Sequence, residues 1–200
     1  LDASSPHVIL LAGPNGAGKT TAAPKLLRKL FNVDTFVNAD IIAQGLSGFS
    51  PESVAIEAGA MLITRVKQLA ERRANFAFET TLASRTFAPW IRELVQTGYA
   101  FELIFLWLPS PEVAIERVKR RVQLGGHNVP EATIRTRYIR GIRNFFELYR
   151  PLAVTWTVYD GRFLGDPCVV AVGGNNVAES IFDRDAWISM IEVDRGRKSR

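Results

Sequence analysis

Two hundred residues with 47% hydrophobic side chains are enough for one domain with a core that needs no staples. A single cysteine, Cys168, excludes an internal disulfide and fits a reducing, cytoplasmic setting. No apolar run reaches membrane-spanning length, none follows a basic start as a signal peptide would, and the net charge of +5 is concentrated: residues 110–143 hold eight basic and three acidic side chains.

The first apolar run, Val8 to Ala12, reads as a buried strand. It runs into Gly13-Pro14-Asn15-Gly16-Ala17-Gly18-Lys19-Thr20, a complete G-x-x-x-x-G-K-[ST] loop, followed by Thr21 and a helix reaching Phe31. Glycines let such a loop turn tightly and aim successive N–H groups inward, and the helix N-terminus adds its positive dipole end. Phosphate groups of a nucleotide are the expected occupant. Lys19, expected at an exposed position, would reach the β- and γ-phosphates, and the Thr20 hydroxyl would hold Mg²⁺.

A short strand then runs from Asp34 to Asp40 and a long helix from Pro51 to Arg73, with Ser50 as its cap. Phe76 to Thr80 is the next strand. A helix from Ser84 to Thr97 stops at Gly98. Phe101 to Leu108 is the most apolar strand and is placed at the centre of the sheet. Helices from Pro111 to about Leu124 and from Glu131 to Tyr149 flank the turn Gly125-Gly126-His127-Asn128-Val129-Pro130. Ile134, Tyr138, Ile142, Phe145 and Tyr149 form one apolar stripe, which leaves the arginines on other faces. Late strands at Val154–Tyr159 and Cys168–Val172, the second at an edge, precede a closing helix from Ala178 to Val193. Residues 195–200 read as a disordered basic tail. Alternating strands and helices predict an α/β fold, a phosphate-loop NTPase with a parallel sheet flanked by helices and a basic helical lid at about 110–149, all one domain over 1–200.

Ligands of parallel sheets bind beyond the carboxyl ends of the strands. Three such ends carry chemistry here: the phosphate loop, Asp40 and Glu79. A carboxylate beside bound phosphates takes a hydroxyl proton or helps to hold Mg²⁺. Arginines of the hairpin would neutralise charge as a mobile lid closes. His127 either meets a phosphate on closure or is a turn residue facing solvent.

The phosphate loop, Asn38-Ala39-Asp40, Phe78-Glu79-Thr80-Thr81 and the segment from Arg121 to Pro130 together resemble the zeta toxin family of phosphate-loop kinases over roughly residues 7–160. Some members are toxins of toxin–antitoxin pairs, and well-studied ones phosphorylate the sugar of UDP-N-acetylglucosamine with ATP and Mg²⁺. The resemblance implies Asp40 as general base, Glu79 and Thr81 facing the acceptor, and lid arginines on the transferring phosphoryl group. Arg117, Arg120 and Arg121 compete for one such role and Arg135 and Arg137 for another; Arg121 and Arg137 adjoin the family-like segment and are favoured. The expected partners are ATP, a small hydroxyl-bearing acceptor and an antitoxin protein. The Gly-Gly-His-Asn-Val-Pro turn resembles a short subgroup described as predicted ATPases, so the acceptor stays open between a UDP-sugar and another nucleotide. A nucleotide kinase and a nucleic-acid-binding ATPase or polynucleotide kinase are the alternatives; the second suits the pI of 9.7 but lacks aromatics interleaved with the basic residues. A GTPase is disfavoured by the lack of Asn-Lys-x-Asp and Asp-x-x-Gly. Leu46-Ser47-Gly48 lies too close to the phosphate loop to be an ABC signature.

Overall fold

In a computed structural model of the chain, residues 5–163, 168–175 and 177–196 are described, with nothing said of the side chains of Lys29 and Leu30. One seven-stranded sheet organises them. Its strands are β1 (His7–Ala12), β2 (Phe36–Val37), β3 (Phe76–Thr80), β4 (Ala100–Trp107), β5 (Thr155–Asp160), β6 (Cys168–Gly173) and β7 (Ser180–Ile181), in the order β2-β3-β1-β4-β5-β6-β7. Helices flank it, as an α/β architecture requires.

The five strands from β2 to β5 are parallel, and β6 and β7 are antiparallel. Only seven residues separate β5 from β6, too few for a crossover, so β6 can return only in the opposite direction. The β6 strand is not the edge, because β7 pairs outside it. That pairing also explains why the closing helix α7 (Arg184–Arg195) starts later than the sequence implies: residues 180–181 are taken by the sheet, and Asp183 caps the helix. Arg195 ends α7 rather than opening a disordered tail; residues 197–200 lie outside the described residues.

The β4 strand is fourth of seven, and all but its first residue are buried. Its one acid, Glu102, faces His7 Nδ1 at 3.0 Å and accepts from the Thr155 hydroxyl at 3.2 Å. Along the sheet, β1 stands between β3 and β4, so the chain order reverses at β1 and a crevice opens at the carboxyl ends of these strands.

The helices refine the sequence reading in four places. Helix α1 (Lys19–Ala23) widens into a π turn over Pro24–Leu30, because Pro24 has no N–H to continue the α ladder. The strand expected to reach Asp40 stops at Val37; Asn38 caps a new helix, α2 (Ala39–Leu46), by accepting from Asp40 N at 2.7 Å and Ile41 N at 3.3 Å. Helix α3 (Ala55–Glu71) follows a single 3₁₀ turn at Pro51–Val54, and Ser50 makes no side-chain cap. Helix α4 (Phe87–Gln96) starts three residues after Ser84, whose hydroxyl holds Thr86 in a turn instead.

Helices α5 (Pro111–Gln123) and α6 (Glu131–Asn144, continued by a π turn to Tyr149) form the basic hairpin. The expected stripe of Ile134, Tyr138, Ile142, Phe145 and Tyr149 is buried. Three further bonds fasten α6 and its π turn to the body: the Tyr138 hydroxyl to Leu108 O at 2.8 Å, Asn144 Nδ2 to Leu82 O at 2.6 Å and the Tyr149 hydroxyl to Ser84 O at 3.1 Å. The hairpin is therefore packed along α6 and presents its arginines from a fixed base. No helix among the described residues is long and apolar enough to cross a membrane.

Candidate active site

The phosphate loop closes the crevice above β1. Gly13, at φ 141°, lies so near the neighbouring strand that a Cβ would meet Leu106 O at 2.3 Å, so no other residue fits. Lys19 is 7% exposed, not exposed as its loop position implied. Its ammonium folds back and donates to Gly13 O and Pro14 O, both at 3.0 Å, with Glu79 Oε1 3.5 Å away. Asn15 and Ala17 are buried, Gly16 and Gly18 are half-buried, and Thr20 and Thr21 are exposed.

Glu79 is bonded to groups on the phosphate side. Its neighbour in register is Leu11 on β1, so it emerges beside the loop. Its Oε2 accepts from the Thr20 hydroxyl at 3.0 Å and from Asn38 Nδ2 at 2.7 Å. The carboxylate thus turns toward Lys19 and Thr20, on the phosphate side. A hydroxyl and a carboxylate oxygen in contact are hard donors of the kind Mg²⁺ takes, with phosphate oxygens and waters completing six ligands. The described residues hold no cluster of three or more His, Cys, Asp or Glu, so the fit rests on this pair.

Asn38 is the residue that sequence reasoning missed as part of the site. Its Nδ2 reaches Glu79 and lies 3.3 Å from Thr20 Oγ1, while its Oδ1 caps α2 through Asp40 N. One buried amide therefore spans the loop, β3 and α2. An Asn two residues before an Asp, at the foot of an apolar run, is a helix-start signal that could have revealed it.

Asp40 stands in the first turn of α2 with its side chain 55% exposed. His127 faces it, with Nε2 3.8 Å from Asp40 Oδ2. His127 is held in turn by Arg121, whose Nη2 donates to His127 O at 3.0 Å and lies 3.3 Å from His127 Nε2. Gly126 makes this wrap feasible, since a Cβ there would meet Arg121 Cγ at 2.6 Å. Thr81 lies just past β3 with its carbonyl against Gly141, where a Cβ would meet it at 2.5 Å.

The competing arginines separate clearly. Arg117 donates to Gly16 O at 3.3 Å, Gly161 O at 2.6 Å and Arg162 O at 2.9 Å, which makes it a strut beneath the loop. Arg135 is paired with Glu112. Arg120 is exposed on the outer side of α5. Arg137 is half-buried and makes no hydrogen bond or ion pair with any described residue. Among the described residues, Arg117 alone of these five arginines is bonded to the phosphate loop.

Comparison with known proteins follows this geometry. The sequence pattern of AAA_33, an AAA domain, matches residues 8–138. An uncharacterized protein of Haemophilus influenzae is 26% identical over 133 residues, 65% of this chain and 91% of that protein. The crystal structure of the AvrRxo1-ORF1:AvrRxo1-ORF2 complex with sulphate ions is similar at a TM-score of 0.74 and 17% identity; the match covers 94% of this chain and spans 64% of that one. The same complex with ATP gives 0.72 at 16% identity. The PezAT chromosomal toxin–antitoxin system of Streptococcus pneumoniae is similar at 0.64 and 18% identity, over 100% of this chain and 88% of that one.

Proposed function

The chain belongs to the AAA_33 family of AAA domains, with a P-loop kinase-like fold, and from that premise we propose that it transfers the γ-phosphoryl group of ATP to a hydroxyl of a small acceptor, in the manner of zeta toxins. One observation carries the reading: the Asn38 side chain joins Thr20 and Glu79 to the backbone of Asp40. The nucleotide end and an exposed carboxylate are thereby fixed relative to each other, as transfer between two substrates requires.

In this reading the loop N–H groups and Lys19 hold the phosphates, with Lys19 exchanging two carbonyl partners for phosphate oxygens. Thr20 and Glu79 would hold Mg²⁺, which when bound would neutralise phosphate charge. Asp40 accepts the acceptor's hydroxyl proton. Arg137, unpartnered, and Arg121, tied only to the hairpin turn, meet the charge that spreads over the transferring group. Thr81 faces the acceptor. The finer proposals are a UDP-sugar as acceptor and a protein partner of antitoxin type. The second draws support from two similar structures that are complexes, one of them named as a toxin–antitoxin system.

The test incubates the protein with ATP and Mg²⁺ against UDP-N-acetylglucosamine, nucleoside monophosphates and a 5′-hydroxyl oligonucleotide, and follows products by mass spectrometry. A gain of one phosphate on UDP-N-acetylglucosamine supports the reading. Phosphorylation of the oligonucleotide alone makes it a polynucleotide kinase, and of a monophosphate alone a nucleotide kinase. ADP release with no phosphorylated acceptor overturns the reading.

A further inference from the structure

The hairpin turn carries a second group aimed at Asp40, and the kinase reading gives it no task. His127 is 24% exposed at its side chain, and its Nε2 faces both Asp40 Oδ2, at 3.8 Å, and Arg121 Nη2, at 3.3 Å. Among the described residues these are the charged groups facing the imidazole, Asp40 from α2 and Arg121 from α5. A guanidinium has donors and no acceptor. Its contact with Nε2 therefore places a lone pair there and the ring proton on Nδ1. The ionised Asp40 carboxylate also offers only lone pairs. Two acceptors thus face each other at a separation just beyond a hydrogen bond, so that a proton delivered to either one has the other as its neighbouring acceptor.

We propose that His127 is the second station for the acceptor's proton and that Arg121 gates it. This rests on Asp40 acting as the base. The hydroxyl oxygen forms its bond to the γ-phosphorus, and the bond to the bridging oxygen breaks with its electron pair left on ADP. The hydroxyl proton passes to Asp40 Oδ2. Protonated Asp40 then becomes a donor to His127 Nε2, which takes the proton and returns it to solvent through its exposed edge. Arriving phosphates compete with His127 for Arg121. Once Arg121 turns to them, the donor that occupies the Nε2 lone pair is gone. The relay is therefore blocked until the nucleotide is bound. His127 acts through Asp40 and is a positioning residue for its proton, not a catalytic residue.

The experiment measures ADP release with ATP–Mg²⁺, in water and with whichever acceptor the screen identifies. His127→Ala should lower kcat at least tenfold and leave KM for ATP within twofold. Added imidazole should restore part of the rate, which a purely structural role for the ring would not give. His127→Gln keeps an acceptor for Arg121, so the turn folds, yet it cannot carry the proton; it should lose as much. In an Asp40→Asn background, His127→Ala should cost less than a further twofold, because the relay has no first station. A wild-type rate in both His127 variants, a full additive loss on top of Asp40→Asn, or no response to imidazole overturns the relay and leaves the kinase reading standing. A wild-type protein that phosphorylates no acceptor removes both.

Discussion

The two sides of the crevice are built on different terms. On the phosphate side every functional group is already held: Lys19 by two carbonyls, Thr20 and Asn38 by one carboxylate oxygen, Glu79 by all three. On the hairpin side the helices are fixed to the body, yet the groups they present are loosely held or unpaired: Arg137 has no partner among the described residues, and Arg121 is tied to a turn residue. In the proposed mechanism, charge that binds the ground state is preorganised and charge that acts on a developing transition state is held in reserve. The variants below probe that division, from the largest effect to the smallest.

Lys19→Ala should abolish ATP turnover and also disturb the loop, because Lys19 is buried and fastens two of its carbonyls. ATP binding by calorimetry and turnover by ADP release should both be lost. Retained turnover would break the assignment of the phosphate side. Asp40→Asn should lower acceptor phosphorylation by about 10²–10⁴-fold, the usual worth of a general base, and spare ATP binding, since the exposed side chain holds none of the loop. Loss of ATP–Mg²⁺ binding with an unchanged rate at saturation would move Asp40 to the metal side.

Much of the phosphate side was legible in the sequence, because its signals are local. The loop, the strand before it and the helix after it lie within thirty residues and specify one another. Glu79 was legible at a strand end, but which neighbours its carboxylate meets was not. Their identity depends on β3 pairing with β1 in a register that sets Glu79 against Leu11, a contact 68 residues apart. Asn38 was obscured in a similar way: a strand drawn too long hid the cap, and the cap is what aims its amide at Thr20. On the hairpin side the stripe from Ile134 to Tyr149 was read correctly from helical spacing. The arginines were not separable, since a guanidinium's role is fixed by what lies opposite. Arg117 and Arg121 are one turn apart on one helix, yet one grips a loop carbonyl and two carbonyls of the turn after β5, and the other a histidine.

That separation yields the third prediction. Arg137→Ala should lower kcat by about tenfold or more with KM for ATP little changed, because a group without a ground-state partner contributes only where charge develops. Arg117→Ala should act on stability instead. Its three bonds to carbonyls include two under 3.0 Å, and hydrogen bonds to charged groups contribute about 1.5–3 kcal/mol each when their partner is left buried. A fall in Tm of several degrees is expected in differential scanning calorimetry, about 2–4 °C per kcal/mol for a chain of this size. If Arg117→Ala melts like wild type and loses rate while Arg137→Ala does the reverse, the two roles must be exchanged.

The smallest effect concerns how the hairpin's two helices are set against each other. Across the turn, Arg135 pairs with Glu112 and Lys119 with Glu131. The Arg135 hydrogen bond, helped by the local backbone and Ser110, holds the Glu112 carboxyl down at about 2 against an ordinary 4.5. Lys119 lowers Glu131 in the same direction. A carboxyl whose pKa is depressed by folding adds stability that is full above its unfolded value and fades as pH falls through the folded one. The window for Glu112 therefore opens near pH 4.5 and closes near pH 2. Both acids are fully exposed, so solvent screening keeps the contribution small. Wild type and Glu112→Gln should differ slightly in Tm at pH 7, converge as pH falls from 4.5 toward 2, and also converge in 1 M salt, where screening acts within about 3 Å. A gap that survives at pH 2 would mean that Glu112 supports the hairpin through packing rather than charge. Equal melting at every pH would leave Ile134, Tyr138 and Ile142 as the whole reason why the arginines of this hairpin stand where they do.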